Sequence, residues 1–481
     1  MARLLGFVGP TYALRSLSAD AQRCVNWYPE VIESRTGKAP AMLSPTPGLK
    51  LFASLAGPSV RALHAFNGRL FATSGASFYE IDSTGAATIR GSVAVGSSLD
   101  SIVSGASHLL VISGDSPYYY TLATNTLTAI TTLLGSPKLA GYSDGYFIVL
   151  LANSRQFQIS ALLDPATWDP LDTAILSVFP GNISSMIIDH REIAFIGEKQ
   201  SVFYFNSGDA DFPYDVRLES FMEQGGIGAF GVQKLDNSLL WVGLSERGGA
   251  IAWRAEGYRP QRISTHAIEQ AWEGYGVKED VRTWAYEQDG HNFWVVFFPT
   301  ANATWVYDTA VGLWHERGKW NTITNSFDAH LGQCHAYCFG KHLVGDRASG
   351  NVYELDVNTY ADNGEVLRRM RRGPHGGSEN KWIYVKSFEI DAEVGLGPMP
   401  HLTDMAGNPR DPKMMLRSSK DGGKTWGNTF ELDAGRAGEY KTRIRKLRLG
   451  RARDWVPEIS VTDPIPWRII DAYAEIELGT S

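Results

Sequence analysis

Cysteine is scarce in this chain, with only Cys24, Cys334 and Cys338 among 481 residues. So few, and an odd number, build no disulfide framework, and the chain reads as one made in a reducing cytoplasm. Long apolar runs are missing too. The strongest, residues 146–152 and 293–299, fall far below the roughly 20 residues a membrane-spanning helix needs, so no membrane insertion is expected. The opening MARLLGFVGPTYALRS has one early Arg, but Gly9 and Pro10 break its apolar stretch, unlike a secretory leader. There is no excess of positive charge: 45 Lys and Arg stand against 52 Asp and Glu, a net −7, which argues against a broad nucleic-acid-binding face. Amphipathic helices are nearly absent. The best candidate, residues 264–272 (STHAIEQAW), is short and opens with Ser264 as its expected cap.

What is abundant is aromatic residues and glycine: 14 Trp, 20 Tyr, 21 Phe and 49 Gly, with 22 Pro spread between them. That mixture predicts an all-β protein of many short strands. A pattern of strand, polar turn, strand and aromatic third strand begins near Arg61 and recurs near Leu99, Leu139, Ser184, Phe230, Val281 and Cys334. Asn67-Gly68, Asp144-Gly145, Asp236-Asn237 and Asp289-Gly290 are the clearest two-residue turns, of the kind tight hairpins demand. A spacing of roughly 40–45 residues matches a four-stranded propeller blade. The pattern predicts a β-propeller of about seven blades over residues 56–374. An N-terminal arm (1–55) would precede it, and a small C-terminal β-sandwich-like domain (375–481) would follow a basic linker, RRMRRGPHGG.

Several residue groups invite a chemical reading. Gly226, Gly228 and Gly231 spell G-x-G-x-x-G, but a dinucleotide site needs that motif between a strand and a helix. Here it enters a blade strand and reads as a Gly-rich connection. His330, Cys334, Cys338 and His342 recur every four residues, with His335 among them. On a helix they could hold zinc, but the surrounding sequence reads as strand–turn–strand about Gly340, which would scatter them. Neither a metal nor a cofactor is expected. Ser419, Asp421, Gly423 and Trp426 form an Asp-box (S-x-D-x-G-x-T-W), a device that ties down a hairpin turn. Such boxes occur in glycosidase propellers, so a glycan-binding or glycan-cleaving protein is the alternative function. Paired carboxylates, which that chemistry needs, cannot be read from the sequence. Arg368, Arg369, Arg371 and Arg372, and the stretch 441–453 (KTRIRKLRLGRAR), are the basic groups. In the latter, Lys441, Arg443 and Arg445 share one face at period two. They are candidate contacts to a neighbouring subunit or to DNA phosphates, with a solvated sheet face as the plain alternative. No nucleophile triad, zinc-protease motif or P-loop appears, so no enzyme is expected.

Three blocks carry a resemblance. The first runs from Tyr12 through Ser18-Ala-Asp20-Ala-Gln22-Arg-Cys24-Val-Asn26-Trp-Tyr28-Pro29-Glu30 to Thr46-Pro47-Gly48-Leu49. The second lies between Asp236 and Glu269, and the third between Gly435 and Pro464. Together they resemble the packaged-DNA stabilisation proteins of short-tailed phages, known as tail hub or nozzle proteins. The resemblance implies a structural virion protein of the phage tail, made in the host cytoplasm. It would form a homohexameric ring below the head–tail connector, against the adaptor and portal. That ring would extend the DNA channel, pass genomic DNA without sequence specificity, and help retain it until ejection. A tail needle or fibre protein is a further partner implied by kinship. No catalytic residue is carried over.

Overall fold

A computed structural model of the chain describes residues 2–34, 36–245, 247–397, 402–404 and 406–479. Seven blades surround one axis. Their inner strands are Val60–Phe66, Ser101–Ser104, Pro137–Ser143, Ile183–Asp189, Val232–Leu235, Arg282–Gln288 and Gly332–Cys338, each starting one of the seven sequence repeats. Blades one to five are antiparallel four-stranded sheets in simple sequence order. In six blades the first hairpin turns on two residues of positive φ: Asn67-Gly68, Asp144-Gly145, His190-Arg191, Asp236-Asn237, Asp289-Gly290 and Phe339-Gly340. This is the type I′ geometry whose twist matches that of paired strands. Asn, Asp and Gly adopt it at little cost, which is why four of these turns are legible in the sequence. His190-Arg191 and Phe339 carry no such signal.

Blade seven is closed from the other end of the chain. Its strands Gly332–Cys338, Lys341–Asp346 and Asn351–Asp356 are completed by Gly48–Ser54, antiparallel to Asn351–Asp356. The N-terminal 55 residues are therefore not a separate arm. One strand belongs to the propeller, and the others build the sandwich: Trp27–Val31 and Ala41–Pro45 extend the sheet of Ile383–Ala392, Ile444–Ala452 and Ile469–Leu478, while Ala2–Arg3 pairs with Ile469–Leu478. The sandwich core accordingly takes Phe7, Cys24, Trp27 and Leu43 from the N-terminus alongside Phe388, Trp455 and Trp467.

The stretch expected to be a linker is a strand. Arg369–Arg372 pairs with Ala21–Val25 on one side and Val456–Val461 on the other. Ala21–Val25 in turn lies parallel to Leu313–Asn321, the fourth strand of blade six. One continuous sheet thus runs from blade six into the sandwich through these two strands. Loose composition misled because Gly and Pro lie just past the strand, at Gly373, Pro374 and Gly376.

The helix spans His266–Glu273 with Thr265 at its N-cap, whose side chain makes no capping hydrogen bond. Ser264 is buried instead; its hydroxyl donates to Glu269 (2.5 Å) and accepts the Ala252 amide (3.1 Å). Among the described residues no helix is long and apolar enough to cross a membrane.

Because blade seven needs Gly48–Ser54, deleting residues 1–54 should leave the ring open and the sandwich without Ala2–Arg3, Ala21–Val25, Trp27–Val31 and Ala41–Pro45. Tryptophan fluorescence during urea titration should then show no cooperative transition. A deletion variant that unfolds at the wild-type midpoint would contradict this closure.

Candidate functional site

A propeller offers a ligand the central cavity on its axis. Here the cavity is small, about 230 Å³, and lined by the inner strands. Buried Arg61 donates to Asp100 (2.9 Å), Ser113 (2.9 Å) and the carbonyls of Gly75 and Ala94. Gln333 donates to the Val60 carbonyl (2.7 Å), joining blade seven to blade one, and Arg282 donates to the Gln333 side-chain oxygen. These contacts knit neighbouring blades together around the axis. At one mouth the loops between blades leave a wider depression of about 1,070 Å³.

The four arginines of the 368–372 stretch do not form a surface patch. Arg369 and Arg371 are fully buried. The Arg371 guanidinium donates to the carbonyls of Phe7 (2.6 Å), Pro10 (2.8 Å), Gly6 (2.9 Å) and Arg23 (3.3 Å), and to the Gln22 side-chain oxygen (2.5 Å). A planar fork with five N–H donors suits such a set of oxygens, and it clamps the N-terminal segment onto the shared sheet. Burial pushes Arg371 down to about 10, still ionised at neutral pH. Arg369 donates to the Thr46 carbonyl (3.1 Å). For these two, the expected subunit or DNA contact is corrected: period-two alternation turns both inward, where the chain's own carbonyls take them. Arg368 stacks on Trp320 at 4.0 Å and donates to Ser460 (3.0 Å). Arg372 pairs with buried Glu458 (2.9 Å), which also takes Arg417 (2.5 Å). Both guanidiniums lie on Trp426, at 4.7 and 4.9 Å.

Trp426 therefore links the Asp-box to the joint. The Asp-box sits in the sandwich, between the strands Lys413–Ser419 and Phe430–Asp433. Ser419 donates to Asp421 (2.6 Å) and accepts the Gly423 amide (2.8 Å). Asp421 also accepts the Thr425 hydroxyl (2.6 Å) and the amides of Lys424 and Thr425. Those hydrogen bonds, the Ser419 hydroxyl's foremost, hold its carboxyl down to about 2. At neutral pH Asp421 is an ionised turn-former and has no proton to donate to a glycosidic oxygen.

In the basic strand, Arg443 pairs with Glu389 (2.5 Å). Arg445 lies opposite Glu389 and reaches Ser387 (3.0 Å) and Glu475 (3.5 Å), while Lys441 is exposed. Arg443 and Arg445 thus share a face, with Ile444 buried opposite. The alternation fails past Lys446 because Arg448 sits at φ 59 and the register shifts against Ile383–Ala392.

His335 and His342 stack, with 3.1 Å between Nε2 and Nδ1. Burial pushes His335 down to about 3, and His330 likewise. Cys334 faces the Val60 carbonyl, while Cys338 lies in the core between blades seven and one. Gly226, Gly228 and Gly231 lead into Val232–Leu235, where Cβ atoms would meet backbone at 2.1–2.7 Å for Gly228 and Gly231. Sequence reasoning missed Asn26 and Glu458. Asn26 is buried at φ 59; it donates to the carbonyls of Gly318 and Arg368 (both 2.7 Å) and accepts the Gly318 amide (3.0 Å). No local pattern announces either residue, since their partners lie hundreds and tens of residues away.

The molecule is thus a closed seven-bladed propeller locked edge-on to a β-sandwich, with much of its conspicuous charge spent internally. Residues 21–360 match the family described as bacteriophage P22 Gp10, β-propeller, and residues 368–477 match bacteriophage P22 Gp10, β-sandwich. The chain belongs to this family of phage structural proteins. No curated protein matches it. Among solved structures it is similar to the computationally designed Ika8 protein (10% identity, TM-score 0.39, 74% of this chain and 100% of that one). It is also similar to YCF48 bound to D1 peptide (10%, 0.41, 65% and 97%) and to YCF48 from Cyanidioschyzon merolae (14%, 0.40, 64% and 98%).

Two substitutions test these contacts. Arg371→Met strands several buried carbonyls and should cost about 3–5 kcal/mol in urea unfolding; a change below about 1 kcal/mol would show that the clamp is idle. For Asp421, the folded value of about 2 lies below the ordinary 3.8. Its contribution is therefore present above about pH 4 and lost as the pH falls toward 2. Asp421→Asn should melt lower than wild type at pH 6, and the two should converge near pH 2. A gap that persists at pH 2 would rule out the ionised turn.

Proposed function

We propose that this chain is a hub or nozzle subunit of the phage tail, lying below the head–tail connector and helping to retain packaged DNA until ejection. The observation that carries this reading is the match of both parts of the chain, 21–360 and 368–477, to the propeller and sandwich of one phage structural family. The fold supports it in two ways. A duplex whose major groove alone is about 12 Å wide cannot thread an axial cavity of about 230 Å³. DNA therefore passes beside the propeller, and a channel must be built from several copies. In addition, the sheet shared by blade six and the sandwich makes each copy a stiff wall element.

In this reading, copies form a six-fold ring through heterologous contacts, each face meeting a different face of its neighbour. The ring docks on the adaptor and portal above, and a needle or fibre protein on its far side. The chain performs no chemistry; its work is to hold position around a passing polyanion, without sequence specificity. The net charge of −7 suits that role, because a wall with little net attraction for phosphate lets DNA slide.

The test is a phage from which the gene is deleted. Heads should still fill, but the particles should lose their DNA on purification and infectivity should fall by orders of magnitude. Supplying the purified chain before lysis of the DNA-filled heads should restore both. Particles that keep their genome and infect without the chain would overturn the reading.

A further inference from the structure

Charge is segregated along this chain. Residues 368–481 hold 20 Lys and Arg against 16 Asp and Glu, leaving 25 against 36 for residues 1–367. Two surfaces carry part of that imbalance. On the sandwich, Ile444–Ala452 is the edge strand of its sheet, next to the Asp-box turn. Lys420, Lys424, Arg448, Arg451 and Arg453 are exposed there, and none of them forms an ion pair among the described residues. They are held in place nonetheless: Arg451 and Arg453 both stack on Trp382 at 4.7 Å, and the Lys420 ammonium lies over Gly450. The nearest carboxylates are already engaged, Asp421 in its turn and Asp454 with His375 (2.5 Å).

The other surface is the 1,070 Å³ depression at the propeller mouth. Glu198, Glu223 and Glu279 line it, are exposed, and have no cationic partner among the described residues. Asp115 and Lys138 offset one another there (3.2 Å), and among the described lining residues Lys199 is the remaining cation. Its floor carries Leu150, Ile227 and Leu244.

We infer that the basic Asp-box corner of one copy docks in the acidic propeller mouth of the next. This rests on the ring reading above and names its interface. A head-to-tail ring needs two different, complementary faces on the same chain. The two lie on separate domains, the sandwich and the propeller, and no ion pair joins them within one copy among the described residues. An edge strand bearing Arg and Lys and a bulge at Arg448 is guarded against strand pairing, which leaves side-chain charge as its means of contact. DNA phosphates would also attract the basic corner, but they supply no role for the acidic mouth, whereas a second copy engages both.

The experiment uses particles made without the chain, supplemented with purified protein and scored for copies bound per particle. One variant carries Lys424→Glu, Arg451→Glu and Arg453→Glu, which leaves two cations against three carboxylates at the corner; the other carries Glu198→Lys and Glu223→Lys, which leaves Glu279 alone against three lysines at the mouth. All five side chains are exposed, so folding should be kept, as circular dichroism would verify. Each variant alone should bind at roughly a tenth of the wild-type level or less, because like charges meet at every contact. An equimolar mixture should restore binding to within about twofold, since the two variants can alternate around an even-membered ring with opposite charges at every junction. Either variant binding as well as wild type would overturn the interface, as would a mixture that is no better than its parts. If the corner variant binds normally but loses affinity for duplex DNA, the corner is a phosphate contact and the inference falls. Failure of the wild-type chain itself to bind would instead strike at the hub reading.

Discussion

The structure depends on a narrow seam, the strand Ala21–Val25 held between blade six and Arg369–Arg372. Backbone pairing to blade six is slight, a single parallel contact at Val25 and Glu316. Side chains supply the rest. Asn26, at positive φ, joins Gly318 of blade six to Arg368, just before the strand Arg369–Arg372, and Arg371 gathers four carbonyls and Gln22 from the N-terminal segment. Arg23 adds an ion pair to Glu316 at 2.5 Å. These groups are buried or half-buried, so leaving any of them unpaired carries a desolvation penalty. The seam therefore holds as a unit.

From that seam follows the arrangement of the termini. The chain enters the sandwich, crosses to the propeller as the strand that closes blade seven, runs through seven blades, and returns to finish the sandwich. A propeller closed by a strand from the opposite end cannot open without freeing both ends of the ring. Here the closing strand is followed by Ala361–Asp362, parallel to it at Leu49, so the edge of blade seven is covered as well. Blades cannot bury their faces alone, and the buried tryptophans Trp272, Trp294, Trp305 and Trp314 between blades five and six show how much apolar surface such stacking encloses.

Stiffness and charge then divide the work of a wall element. Internal pairs such as Glu458 with Arg372 and Arg417 are spent on the joint, capped by the tryptophan of the Asp-box. The Asp-box here is a mechanical part: it presents Trp426 to two guanidiniums and fixes the corner where Lys420 and Lys424 project. The sandwich corner and the propeller mouth are two of the surfaces where exposed charge is left without an internal partner.

Local pattern alone determined the all-β class, the seven repeats, the Asn-Gly and Asp-Gly hairpins and the Asp-box, because each is written in residues a few positions apart. Type I′ turns need φ above zero at adjacent residues, and Asn, Asp and Gly advertise that need. The tertiary structure alone decided which charges are surface and which are core. In RRMRR the same spacing describes a solvated linker or a buried strand, and only the arrival of the N-terminal carbonyls at Arg371 turns it inward. Likewise Gly48–Ser54 reads as part of an arm until Asn351–Asp356, some three hundred residues on, offers its free edge. Hydrogen-bond partners that distant leave no periodicity in the chain, so their pairing is a property of the fold.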